Sequence, residues 1–424
     1  MADSLDLRIE DLGAAGDGIA RLEGRTVFVP ATLPGEQVRA ALTGKRGDAL
    51  TAEAEAILVP SPDRVAPACP HFPDCGGCTL QHWADAPYAA WKRAKLVDAL
   101  ARAGFGDAPV APLARTPPAA RRRADLALRR GPGGAVALGF HARGSGSIVD
   151  LATCAVLDPR LVALFEPLRA LLKRLPALKR DGSAVVNLLD TGPDLLLRTD
   201  GALDAPGRAA LAAFAAEHGI PRIAWAQGNG APETAAQLGA AAIAFAGVSV
   251  SPPPGAFLQA SREGEAAIVG AVLAGLPDKL PPRAALADLF AGNGTLSFPL
   301  ATRARVTAFE GMAESVAALS AAAGKAGARV KAVRRDLDRQ PLAAKELHEF
   351  ATVVLDPPYA GAPVQVPLLA RAQVPRIIYV SCNPAALQRD AQVLARAGYR
   401  VAAATPVDQF LWSPHLESVV VFTR

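Results

Sequence analysis

The sequence predicts a multidomain α/β protein: a small N-terminal β-barrel over residues 1–60, a central α+β domain over 61–250 and a C-terminal Rossmann-like domain over 251–424. Three observations carry this reading. Residues 5–58 form short strand patterns broken by glycine-containing turns, and residues 69–78 place three cysteines in a loop rich in Pro and Gly. From about Pro281 onward, strand and helix patterns alternate, with polar residues at successive strand ends. At 424 residues the chain is too long for one ordinary core. It contains no uncharged apolar run of about 18 residues, the length a membrane span needs. Residues Met1–Glu10 carry three acids and no apolar signal core, so the expectation is a cytoplasmic protein.

Five strand patterns (5–12, 18–22, 26–30, 36–42 and 49–58) fit a small closed barrel of the oligonucleotide-binding kind. Gly16-Asp17-Gly18-Ile19-Ala20-Arg21, followed by Val27-Phe28-Val29-Pro30 and Pro34-Gly35-Glu36, resembles the TRAM domain of RNA-modifying enzymes. Residues 1–60 hold ten acids against six bases, so a barrel that touches RNA does so through a local face.

Cys69, Cys75 and Cys78 form a Cys-x5-Cys-x2-Cys array, and Cys154 is available as a fourth ligand. Both iron–sulfur clusters and structural zinc accept four thiolates, and the spacing alone leaves both open. A helix pattern follows over 88–103. Between Arg115 and Arg143 there are seven arginines against the single acid Asp125, and Arg169, Lys173, Arg174, Lys179 and Arg180 form a second basic block. Such blocks fit either a phosphate-contacting surface or solvated faces. Arg123–Arg129 alternates as a half-buried strand, with Ala124, Leu126 and Leu128 inward, and pairs in a hairpin with 135–140. Segments 181–200 and 221–250 read as further strands around a helix over 206–218.

In the C-terminal domain, a strand over 284–290 leads into the loop Ala291-Gly292-Asn293-Gly294-Thr295. Glu310, Asp336, Asp356 and Cys382 stand at or just after the ends of the next four strands, where doubly wound sheets bind ligands. Ile377–Val380 is a buried strand pattern ending in Ser381-Cys382-Asn383-Pro384, with a helix pattern directly after it. Cys382 is therefore expected beside a helix N-terminus, a place that lowers a thiol pKa. Asp356-Pro357-Pro358-Tyr359 has two readings. One is a methyltransferase acting on exocyclic amines of bases, which needs no cysteine; the other is an enzyme that uses Cys382.

The barrel pattern, the cysteine array with its distant fourth cysteine, Phe257-Leu258-Gln259, Asp288–Gly294, Asp356-Pro357-Pro358, Ser381–Pro384 and His415-Leu416-Glu417 follow one another along nearly the whole chain. In this order they resemble the RNA uracil-C5 methyltransferase family, in its cluster-bearing branch that modifies 23S ribosomal RNA; relatives act on tRNA. The resemblance implies a class I methyltransferase fold for 251–424, with part of 80–115 packed on it. It implies S-adenosylmethionine (SAM) held by Gln259, Phe290, Thr295, Glu310, Asp336 and Asp356, and a [4Fe-4S] cluster on Cys69, Cys75, Cys78 and Cys154, with zinc second. Cys382 is implied as nucleophile and Glu417 as base. The expected partner is RNA, with arginines of 115–143 and the barrel as grips, for a monomer with no membrane and no obligate protein partner. Thr295 stands where many members carry Asn, Tyr359 where many carry Arg, and Leu411–Pro414 departs from the usual context before His415. Two rival readings are an amino-group methyltransferase and a non-catalytic iron–sulfur RNA-binding module.

Overall fold

A computed structural model describes residues 4–424; the first three residues of the predicted barrel lie outside the described residues. The barrel has six strands: β1 (Ser4–Arg8), β2 (Asp11–Leu12), β3 (Gly18–Leu22), β4 (Arg25–Val29), β5 (Gln37–Arg46) and β6 (Ala49–Val59), in the order β1-β5-β6-β4-β3-β2. The strand expected over 5–12 is thus two. The reason is a change of partner: β1 pairs with β5, whereas the Glu10 N–H bonds the Ile19 carbonyl at 2.8 Å and carries the chain across to β3. That crossing closes the barrel around Leu7, Ile9, Ala20, Val27, Val29 and Val38. Buried Glu36 fastens the barrel to the chain leaving it, accepting from Arg64 at 2.5 Å and from the Ser61 N–H at 3.2 Å.

Helix α1 (Asp85–Arg102) and the two-residue strand β7 (Ala114–Arg115) come next. The central sheet contains β8 (Arg123–Arg130), β9 (Val136–His141) and β10 (Ile148–Asp150), then, after the helices α2 (Pro159–Val162) and α3 (Phe165–Arg174), β11 (Asp181–Leu189) and β12 (Gly192–Thr199). Helix α4 (Ala205–Glu217), capped by the Asp204 side chain, crosses over to β13 (Arg222–Gln227), which is why β12 and β13 are parallel in an otherwise antiparallel sheet. β14 (Glu233–Gln237) completes the order β10-β9-β8-β11-β12-β13-β14. Ala124, Leu126 and Leu128 of β8 are buried with Leu168, Leu172 and Phe214 of the helices, as the alternation predicts. The hairpin β15 (Ile243–Phe245) and β16 (Val248–Val250) leaves this sheet.

The C-terminal body is α5 (Arg262–Ala274), β17 (Ala285–Leu289), α6 (Ser297–Ala301), β18 (Arg305–Glu310), α7 (Ala313–Ala326), β19 (Val330–Arg334), α8 (Ala344–Leu347), β20 (Thr352–Leu355), α9 (Val366–Ala372), β21 (Arg376–Ser381), α10 (Pro384–Arg396), β22 (Arg400–Asp408) and β23 (Glu417–Thr423). Its sheet runs β19-β18-β17-β20-β21-β23-β22-β7, with β23 antiparallel to both neighbours. One face is covered by α1, α9 and α10 through Leu96, Leu100, Leu369 and Leu394, the other by α5 and α6 through Ile268, Val272 and Leu300. Three pieces from earlier in the chain belong to this body: α1 on one face, β7 as the edge strand, and β15–β16 packed on α7. Strand order reverses between β17 and β20, so their carboxyl ends open onto the crevice where such sheets take ligands. No helix of the described residues is long and apolar enough to cross a membrane.

Candidate active site

At the carboxyl end of β17 the chain must leave the sheet sharply. Phe290, Gly292 and Gly294 all take left-handed φ angles (62°, 55° and 95°), and a Cβ on Gly294 would lie 2.6 Å from the Phe298 ring. The loop so formed is held from the neighbouring strand. Glu310, ending β18, accepts from the Gly292 N–H at 2.9 Å and the Met312 N–H at 2.8 Å. Thr295 sits half-buried where this loop enters α6. Asp336, two residues beyond β19, is exposed, and its Oδ1 accepts from the N–H groups of Asp338 and Arg339 (3.1 and 3.2 Å). Beneath the loop, fully buried Asp288 accepts from Ser297 Oγ at 2.5 Å, and burial raises its pKa to about 7.

On the other side of the crevice, three of the predicted site residues come together. Asp356 follows β20, Cys382 lies between β21 and α10, and Glu417 opens β23. The antiparallel register pairs Ser381 with Ser418, so Cys382 and Glu417 are the next residues along each strand. Glu417 is only 3 % exposed. Burial, and then the nearby Asp356 carboxylate, push its pKa well up; burial also raises that of Asp356. Gln259 Nε2 donates to Asp356 Oδ2 at 3.2 Å.

The thiol of Cys382 is not depressed as its place beside a helix predicts. Burial, followed by Glu417 and Asp356, pushes it up to about 12. The helix end is already satisfied, because Asn383 caps it by accepting from the Ala385 N–H at 3.1 Å. Burial first, and then two carboxyl groups on the neighbouring strands, outweigh the helix.

Two residues absent from the sequence reading hold this site. Gln409, just after β22, donates to Glu417 Oε2 and to Gln259 Oε1, both at 2.8 Å. Lys92 of α1 is fully buried and donates to Asp408 Oδ1 at 2.8 Å, the Phe410 carbonyl at 3.2 Å and the His415 carbonyl. Tyr88 joins it, donating to Asp408 Oδ2 and accepting from the Trp412 N–H. This cluster shapes the loop that delivers Gln409 and Glu417. Lys92→Met should cost about 3–5 kcal/mol in chemical denaturation, because the Asp408 carboxylate stays buried without its ion-pair partner.

The expected RNA-gripping arginines are mostly spent elsewhere. Arg122 is buried against Glu265 at 2.5 Å, Arg129 pairs with Asp181 at 2.7 Å, and Arg115 and Arg143 pair with Asp85 and Asp17. Arg130 bonds the carbonyls of Leu172, Lys173, Leu175 and Leu178 at the end of α3. In the second block, Arg169 pairs with Asp150 and Glu166, and Arg180 with Asp181. Glu265, Asp181 and Asp17 reach Arg122, Arg129 and Arg143 from elements remote in sequence, whereas Glu166 and Asp181 are local partners of Arg169 and Arg180. Arg121 Nε donates to the Arg123 carbonyl at 3.1 Å, and Arg123 itself sits 5.9 Å from the centre of the Phe257 ring, which is 65 % exposed.

Cys69, Cys75, Cys78 and Cys154 line one pocket, walled by Phe72 and Phe140. All are free thiols. Backbone N–H groups of Gly77, and of Val156 and Leu157, serve Cys75 and Cys154 respectively. Among the described residues, no three His, Cys, Asp or Glu side chains come together in a geometry that would hold a metal ion. The donor set is nevertheless that of a four-thiolate centre.

Residues 281–424 match the family model described as tRNA (uracil-5-)-methyltransferase, and residues 3–54 match that of the TRAM domain. An uncharacterized RNA methyltransferase of Caulobacter vibrioides is 43 % identical over 99 % of this chain and 100 % of its own length. The 23S rRNA (uracil(1939)-C(5))-methyltransferase RlmD of Chromohalobacter salexigens is 37 % identical over 99 % of this chain and 89 % of its own. The solved structure of Pyrococcus abyssi tRNA (uracil-54, C5)-methyltransferase, in complex with S-adenosyl-L-homocysteine, shares the fold, with TM-score 0.75, 23 % identity and 99 % of each chain covered.

Proposed function

The chain belongs to the RNA (uracil-5-)-methyltransferase family, and from that premise we propose that it methylates C5 of one uridine in 23S ribosomal RNA through a covalent adduct of Cys382. The observation that carries this reading is the meeting of Cys382, Glu417 and Asp356 at the ends of three adjacent strands. The family makes it a SAM-dependent enzyme acting on RNA, and the 23S-specific relative at 37 % identity supports ribosomal RNA over tRNA. The amino-group reading of Asp356–Tyr359 lapses with family membership, as does the non-catalytic one.

Uracil C5 is a poor nucleophile. Addition of the Cys382 thiolate to C6 breaks the conjugation of the ring and places electron density on C5. SAM, when bound, supplies the electrophilic methyl carbon. Gln259, Phe290, Thr295, Glu310, Asp336 and Asp356 are the residues we assign to hold it. Glu310 and Phe290 line the crevice at the reversal of strand order, which fits a nucleoside carrying ribose hydroxyls. Glu417 then takes the C5 proton, the C5–H pair restores the C5–C6 double bond, and the C6–S pair returns to Cys382. The uridine has to leave its stack to reach Cys382, at a cost of a few kcal/mol.

We further assign a [4Fe-4S] cluster to Cys69, Cys75, Cys78 and Cys154, with a folding or RNA-positioning role; zinc is the second occupant the same thiols accept. Anaerobically purified protein should carry about four iron and four labile sulfide per chain, and Cys75→Ser should lose them. One zinc and no sulfide would assign the site to zinc. For the substrate, 5-methyluridine mapped in RNA from cells with and without the gene should disappear from one position of 23S rRNA. Disappearance from tRNA instead would replace that substrate assignment.

A further inference from the structure

Gln259 and Gln409 join the half-buried Asp356 and the buried Glu417 into one chain of hydrogen bonds: Asp356, Gln259, Gln409, Glu417. A side-chain amide can face either way, and here one backbone group decides. The Ala260 N–H donates to Gln409 Oε1 at 2.9 Å. The Gln409 amino group is therefore the end that points at Gln259 Oε1 and Glu417 Oε2. With its oxygen engaged by Gln409, Gln259 can only present its own amino group to Asp356. Every link follows from that one N–H.

We propose that Gln409 is a positioning residue for the elimination step, holding Glu417 by Oε2 so that Oε1 is the oxygen that receives the C5 proton. This rests on Glu417 being the base. Glu417 Oε1 is buried and has no hydrogen-bond partner among the described residues. An unpartnered buried carboxylate oxygen costs stability, and a proton acceptor needs one free. Packing keeps Gln409 in place as well. A Cβ added to Gly264, in the first turn of α5, would stand 2.7 Å from Gln409 Cβ, so only glycine lets the helix approach this closely. Gln409 does not touch the reacting atoms in this assignment. It decides which oxygen does.

The test is single-turnover reaction of the full-length enzyme with an unmodified 23S rRNA transcript that the parent methylates, using labelled SAM. Gln409→Met keeps the size and removes both donors. It should form the methylated Cys382–RNA adduct at a rate within a few-fold of the parent and release it about 10- to 100-fold more slowly, a smaller loss than removing the base itself. The adduct is read on a denaturing gel and its methyl group by mass. Gly264→Ala, which displaces Gln409 without altering it, should show the same slow release. Gln409→Asn, which keeps the donor but shortens its reach, should fall between parent and Gln409→Met. If Gln409→Met releases product at the parental rate while Glu417→Gln still accumulates adduct, the positioning role is wrong and the base stands. If neither variant accumulates adduct, the assignment of Glu417 falls and the positioning role falls with it. Slowed adduct formation with normal release would also overturn the proposal.

Discussion

Cys382→Ala is expected to abolish 5-methyluridine formation, by roughly 10⁴-fold or more, the scale on which loss of a covalent nucleophile acts. The parent should form a denaturation-stable adduct with RNA carrying 5-fluorouridine at the target, because fluorine blocks the loss of the C5 substituent; the alanine variant should form none. Methylation at the parental rate by Cys382→Ala would end the covalent mechanism. The reaction should also accelerate with pH. Burial and the two neighbouring carboxylates hold the thiol up at about 12, so the thiolate fraction of the RNA-free enzyme grows with each pH unit across the assay range. SAM brings a positive sulfonium to the same crevice, which favours thiolate; its binding should therefore lower the pH at which a thiol-directed alkylating reagent reacts with Cys382.

How far the sequence reaches into this site depends on how local each feature is. The strand ends that carry Glu310, Asp356 and Cys382 were legible because each follows a short apolar, β-branched run that closes on a polar turn, and the sheet obeys the rule that ligands gather at such ends. The six-stranded barrel was legible up to the partner change at Ile9–Glu10, which is a property of two strands meeting, not of either segment. Three things were out of reach for the same reason. β7 is two residues long and has no pattern of its own. The Lys92–Asp408 pair spans 316 residues and looks, from α1, like any helical lysine. Arg122, Arg129 and Arg143, in β8 or beside the β8–β9 hairpin, read as a surface charge because the acids that neutralise them, Glu265, Asp181 and Asp17, lie on other elements. The displacement of the Cys382 thiol pKa has the same origin: burial, followed by the Glu417 and Asp356 carboxyls, all of which only the folded sheet supplies.

Glu417→Gln should separate the two halves of the reaction. Methyl transfer needs only the adduct, so a single turnover should proceed; release needs a base at C5 and should slow by about 10²–10⁴-fold. Methylated RNA should accumulate bound to Cys382, visible as a shifted band on a denaturing gel, and parental release would remove Glu417 from the mechanism. The pH dependence follows in sign. Burial and Asp356 raise the Glu417 pKa, so the base form is scarce at low pH, and release by the parent should rise with pH through that raised value. The glutamine variant should lack this limb. Stability runs the other way. Asp288, Asp356 and Glu417 keep protons in the folded chain at pH values where unfolded carboxyls, near 4, have lost them. Their contribution is fully present at low pH and is lost as pH rises through their folded values, about 7 for Asp288. Glu417→Gln removes one such group and gives the Gln409 amino group an amide oxygen to donate to. Its thermal midpoint above pH 7 should therefore equal or exceed that of the parent, while its release of product fails. An unfolded or destabilised variant could not give that pair of results, so slow release would be read as chemistry and not as damage to the fold.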